Sequence, residues 1–75
     1  MHIRVKCFAT LDTFQPDNAE HFPASAGETV AHVMERLGVP ADQVHVIFVN
    51  SRSVPADTVL RDGDKVGLFP AVGGG

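Results

Sequence analysis

Apolar residues recur along this chain with two different periods, and the places where the period changes mark its elements. Residues 2–8, HIRVKCF, alternate: Ile3, Val5 and Cys7 fall on one face, His2, Arg4, Lys6 and Phe8 on the other. Alternation with period two predicts a strand with one buried face. ATLDTFQPDN reads as a polar loop closed by Pro16, Asp17 and Asn18. AEHFPAS predicts a second, shorter strand, and Pro23, which lacks an amide donor, confines it to a sheet edge or a strand end. In GETVAHVMERLG the period lengthens. Val30, Val33, Met34 and Leu37 stand at i, i+3, i+4 and i+7, which makes one apolar stripe on a helix. Thr29 is placed to cap its start and Gly38 to close its end, with Pro40 just beyond. So short a helix is unstable alone in water, so its stripe must lie on a sheet.

The remaining chain is strand-like. QVHVIFVN is rich in β-branched and aromatic residues and predicts a central strand. NSRS reads as a turn and SVPA as a short return strand. LRDGDKVGLFP holds a turn at Asp62-Gly63-Asp64 and then a final strand at 65–69. The order is β-β-α-β-(β)-β, with the first two strands close enough to pair as a hairpin. One helix packed across one mixed sheet is an α+β architecture.

Composition narrows the function classes. A chain of 75 residues is one domain. At this size only roughly 60% of the unfolded chain's surface is buried, which leaves little room for a deep catalytic cleft. The net charge is −3 with no basic run, so nucleic acid is not an expected partner and a positively charged protein is a better match. One cysteine, Cys7, excludes an internal disulfide framework and suits a reducing, cytoplasmic setting. No stretch is apolar enough for a signal peptide or a membrane span. His2, His21, His32 and His45 lie 19, 11 and 13 residues apart, which is no metal-ligand spacing, so no metal is expected. Cys7 falls on the inward face and reads as core. Asp62 and Asp64 read as turn formers.

One face of the expected sheet is unusual. Phe8 shares a face with Arg4 and Lys6, and Phe69 shares one with Lys65 and Gly67. If Ile47 and Val49 face the helix, Phe48 joins the outer face. Three aromatics there make an exposed patch of the kind that marks an interaction surface. The alternatives are a loop residue such as Phe14 or Pro55 folded over them, or a register slipped by one.

The β-grasp order, the VN that ends the central strand, LRDGDKVGLFP, and a sequence ending in glycines together resemble the MoaD/ThiS family of ubiquitin-like sulfur carriers. The resemblance spans essentially the whole sequence and is most specific in DGDKVGLFPAVGGG, residues 62–75. It implies a β-grasp domain over 1–70 and a flexible tail over 71–75. It implies a protein cosubstrate rather than an enzyme, with no bound cofactor. An E1-like enzyme would use ATP to adenylate the carboxylate of Gly75, and a sulfur donor would convert the acyl-adenylate to a thiocarboxylate. That group would supply sulfur to the large subunit of molybdopterin synthase or to a thiazole synthase. Gly73 and Gly74 would form the lead. Phe8, Phe48, Phe69, Pro70 and Val72 would meet partners. FPAV before the glycines looks more like MoaD than ThiS. Two departures are a third glycine where a pair is usual, and Ala71 where many MoaD members have a second proline. The alternatives are a thiamin thiazole carrier, a ubiquitin-like binding or modifier module, or a β-grasp domain with no carrier role.

Glycine suits such a terminus physically. Without a Cβ it makes a thin thread and leaves the acyl carbon unhindered, and it reaches backbone angles other residues avoid. Ordering each residue costs roughly 1–2 kcal/mol, which docking of the folded domain must offset. Pro70 stops the last strand from continuing.

Overall fold

The computed structural model describes residues 1–71. Among these residues five strands and one α-helix form: β1 (His2–Cys7), β2 (Phe22–Pro23), α1 (Val30–Leu37), β3 (Val46–Val49), β4 (Arg52–Ser53) and β5 (Lys65–Phe69). They make one mixed sheet in the order β2-β1-β5-β3-β4. β1 and β5 are parallel, and the other neighbours are antiparallel.

Register decides which side chains reach the core. Val5 pairs with Val66 and Cys7 with Leu68 across β1 and β5. Ile47 pairs with Leu68 and Val49 with Val66 across β3 and β5. All of these are buried in one cluster with Val30, Val33 and Met34 of α1. Fully burying a side chain of this size stabilises by roughly 1.5–3 kcal/mol, and this burial holds an eight-residue helix that could not persist alone.

The ends of α1 are closed as the sequence predicts. Thr29 Oγ1 accepts from the His32 amide at 3.3 Å. The amides of Val30 and Ala31 donate to the carbonyls of Thr58 and Ala56, so the loop after β4 satisfies the first turn. Gly38 is left-handed, with φ of 79°. Its amide reaches Glu35 O, and the amide of buried Val39 reaches Met34 O, which is a Schellman closure with its apolar contact.

Several expectations are corrected. The segment after β1 is not a polar loop: Ala9–Phe14 is a 3-10 helix that buries Leu11 and packs Phe14 against the core. The expected second strand over 19–25 shrinks to Phe22–Pro23, with Ala19–His21 in a 3-10 turn. Pro23 cannot extend the ladder, and Ala24 takes over by donating to Met1 O at 2.8 Å. The central strand begins at Val46, after a 3-10 turn at Ala41–Gln43. β4 sits at Arg52–Ser53 instead of SVPA, because Asn50 and Ser51 both take positive φ, 52° and 71°, and so make a tight two-residue hairpin.

One buried carboxylate stands beside this frame. Glu28 accepts from the Ser25 amide at 3.0 Å, and Arg36 Nη1 donates to both its oxygens at 3.0 and 2.9 Å. The Arg36 guanidinium also lies 4.6 Å from the centre of the Phe22 ring. Desolvation alone would raise the Glu28 carboxyl, but the Ser25 amide, Arg36 and His32 outweigh it and hold the group below the usual carboxylate range. A depressed folded value adds stability above the unfolded value of about 4.3, and that stability is lost as pH falls through the folded value. Glu28→Gln is therefore expected to lower stability at neutral pH by about 1–3 kcal/mol and to flatten the acid limb of the stability curve. Urea unfolding at several pH values checks this, and an unchanged acid limb would contradict it.

Candidate functional site

Among the described residues, no α-helix lies on the face of the sheet away from α1. Outward positions read His2, Arg4 and Lys6 on β1, Lys65, Gly67 and Phe69 on β5, and Val46 and Phe48 on β3. β1 ends at Cys7, but Phe8 stays extended and donates its amide to Leu68 O at 3.0 Å, so its ring continues the outward row.

The three phenylalanines meet there. Phe8 and Phe69 stack with ring centres 4.0 Å apart and planes 8° from parallel. Phe48 meets Phe69 edge-on at 5.5 Å and 79°. All three are half-buried, and neither Phe14 nor Pro55 covers them: Phe14 packs on the core and Pro55 is exposed. Together with Lys6, Ser51, Lys65 and Gly67 they line an open concavity of about 310 Å³.

Gly67 explains how the rings come together. It pairs with Lys6 on one side and Phe48 on the other, at the middle of the face. A Cβ there would lie 3.4 Å from a ring carbon of Phe8 and of Phe69, and 3.9 Å from Phe48 Cβ. The missing side chain leaves the space over which the rings close, as aromatics often cover a strand glycine.

With this geometry in view, similarity to known proteins is informative. The ThiS family profile matches residues 5–75. The chain belongs to the ThiS family. Among solved structures it resembles SAMP1 from Haloferax volcanii, with 18% identity, TM-score 0.75 and all of both chains covered. A second structure of the H. volcanii small archaeal modifier protein 1 gives 20% identity and TM-score 0.73, with 95% of this chain and 98% of that one covered. A candidate molybdopterin converting factor, subunit 1, from Pyrococcus furiosus is 28% identical with TM-score 0.72, covering 96% of this chain and 99% of that one. No curated protein matches. The fold is thus the ubiquitin-like β-grasp that the sequence resembles, and members of this ThiS/MoaD group of sulfur carriers are small proteins that are not themselves enzymes.

Within this ThiS-family chain, Phe8, Phe48 and Phe69 are brought together, and half-buried Pro70 follows directly at the end of β5. Val72, Gly73, Gly74 and Gly75 lie outside the described residues, as does the expected tail beyond Ala71. Cys7 is buried; burial pushes its thiol up and the Asp12 carboxylate acts the same way, so the thiolate a nucleophile needs is disfavoured. Among the described residues no three His, Cys, Asp or Glu side chains converge on a metal position, and no helix is long and apolar enough to cross a membrane.

Two contributors escape sequence reasoning. Gln15 acts as a substitute strand: its Oε1 accepts from the Cys7 amide at 2.6 Å and its Nε2 donates to Val5 O at 2.9 Å. It fixes β1 beyond the reach of β2, just before Phe8 emerges. Asn50 ties the turn to β5, accepting from the Lys65 amide at 3.0 Å and donating to Asp64 Oδ1 at 2.8 Å. Asp64 also accepts from the Arg61 amide, and Asp62 from the His2 amide. The VN and DGD signals that carried the resemblance are therefore one hydrogen-bonded unit at the start of β5. A third feature is local charge: the sheet face carries Arg4, Lys6 and Lys65 although the chain totals −3.

Gly67 supplies a test of the aromatic cluster. Glycine in a strand costs roughly 0.5–1 kcal/mol relative to alanine, and a Cβ at ordinary contact distance needs little adjustment, so Gly67→Ala should keep stability within about 1 kcal/mol of the native chain. Gly67→Val adds methyls that must part the rings. Ring-current shifts of the Phe8 and Phe69 protons are expected to persist in the alanine variant and collapse in the valine variant. A preserved stack in Gly67→Val would contradict the role given to Gly67.

Proposed function

We propose that this chain carries sulfur as a thiocarboxylate on Gly75 and delivers it in cofactor biosynthesis, most specifically as the small subunit of a molybdopterin synthase. The observation that carries the reading is the family match, which runs through Gly75. The 28% identity over nearly the full length of the candidate molybdopterin converting factor subunit supports the pathway. In the first step the Gly75 carboxylate attacks the α-phosphate of ATP and releases pyrophosphate, giving an acyl-adenylate. In the second, sulfur at the sulfide level attacks the acyl carbon, AMP leaves, and a thiocarboxylate remains. ATP is held by an E1-like activating enzyme, not by this chain. The folded domain contributes docking through Phe8, Phe48, Phe69 and Pro70, with Val72, Gly73 and Gly74 leading to the reactive carbon. The setting is cytoplasmic. Delivery to a thiazole synthase, or attachment to a lysine as a modifier, are the competing fates of the same activated carboxylate.

Incubation with an activating enzyme, ATP and a sulfur donor is expected to raise the intact mass by about 16 Da, oxygen replaced by sulfur at the acyl carbon. Deleting Gly75 moves that carbon back by about 3.3–3.6 Å, which is expected to impair the reaction strongly while leaving the fold intact. Adding one alanine after Gly75 is expected to abolish it. An untrimmed, extended chain that reacted as well as the native one would sink the proposal. Single-turnover sulfur transfer to a molybdopterin synthase large subunit, compared with a thiazole synthase, decides the pathway.

A further inference from the structure

We infer that the aromatic sheet face docks a protein surface on which carboxylates surround a protruding apolar side chain. This deepens the carrier reading and rests on it. The sequence total is −3, yet the outward strand positions of this face hold Arg4, Lys6 and Lys65 and no Asp or Glu; Glu20 reaches the face only from its edge, against Arg4. Arg4 is partly neutralised by Glu20 at 3.6 Å, whereas among the described residues Lys6 and Lys65 form no ion pair. Lys6 Nζ stands 5.8 Å from the centre of the Phe8 ring, at the edge of the apolar floor. Lys6 and Lys65, the chain's two lysines, both line the concavity. An open concavity of about 310 Å³ floored by three rings has room for a large apolar side chain.

Cations and aromatics on a sheet are also what a single-stranded nucleic acid uses, but that binding needs free ring faces for bases to stack on. Here Phe69 is engaged by the stacked Phe8 and by the edge-on Phe48, and Lys6 leans over Phe8. The rings offer one another their faces and offer a partner a cup with a cationic rim. A carboxylate-rimmed knob complements both features and is steered toward the face despite the overall repulsion between acidic proteins.

The test is ATP–pyrophosphate exchange by the activating enzyme with the carrier as varied substrate. Lys6→Glu combined with Lys65→Glu is expected to raise the carrier's KM by about tenfold or more, with the effect in KM rather than kcat. Salt should raise the native KM and leave that of the double variant nearly flat. Arg52→Glu combined with Arg61→Glu changes net charge equally at exposed positions off this face, and is expected to leave KM unchanged. An unaltered or lowered KM in the lysine variant, with a folded amide spectrum, overturns the inference, as does an equal effect from the arginine pair. If the native chain supports no exchange at all, the carrier reading fails instead. The face is then judged by amide shifts on titration with a glutamate-flanked phenylalanine peptide, its lysine-flanked counterpart, and a single-stranded oligonucleotide. Shifts at Lys6, Phe8, Gly67 and Phe69 with the acidic peptide alone sustain the inference. Shifts with the oligonucleotide or the basic peptide, or none with the acidic one, overturn it.

Discussion

The parallel pairing of β1 with β5 is the constraint on which everything else rests. It joins the two ends of the chain at the centre of the sheet, Arg4 to Lys65 through Cys7 to Leu68. Because side chains alternate, this single register assigns both faces at once. Val5, Cys7, Val66 and Leu68 go inward to meet α1, and Lys6, Phe8, Gly67 and Phe69 go outward. A slip of one residue would turn one strand over, for β1 exposing Val5 and Cys7 and burying Arg4 and Lys6. The pairing is non-local, so its loop-closure entropy must be met by the hydrophobic cluster that it creates.

The same register joins fold to function. Phe8 is the first residue past β1 and Phe69 the last of β5, and the ladder bond from Phe8 N–H to Leu68 O brings their rings into register for stacking. On the proposed reading, Phe69 of the docking surface and the reactive terminus lie along one stretch of chain, with Pro70 between them. A partner that seated the rings would then also fix where the following residues start, which would reduce the entropy of threading a glycine segment into an enzyme.

Much of this is legible in the sequence because it is periodic or local. The i, i+3, i+4, i+7 stripe of α1 and its Thr29 and Gly38 boundaries come from short-range rules and appear as expected. The alternation of 2–8 and 65–69 places Phe8 and Phe69 outward, and the two apolar faces of 46–49 place Phe48 with them. What the sequence hides is non-local. Gln15 looks like a loop residue, and only the fold shows it replacing a missing strand against Val5 and Cys7. Leu11 and Phe14 sit three apart in a stretch whose polar neighbours read as loop, and the burial they gain from β1 turns it into a 3-10 helix. Net charge is a sum and carries no placement; the alternation of 2–8 and 65–69 is what puts Arg4, Lys6 and Lys65 on one face. Gly67, seen in the sequence only as sharing a face with Lys65 and Phe69, acquires its meaning from rings that come from three different strands or their ends.

The most direct measurement is cross-saturation NMR on the perdeuterated chain bound to a protonated activating enzyme. Saturation is predicted to enter through the amides of residues 6–8, 46–48 and 65–69, leaving those of Val30–Leu37 untouched. Transfer centred on the α1 face, with the aromatic sheet face silent, would contradict a carrier that docks through its phenylalanines.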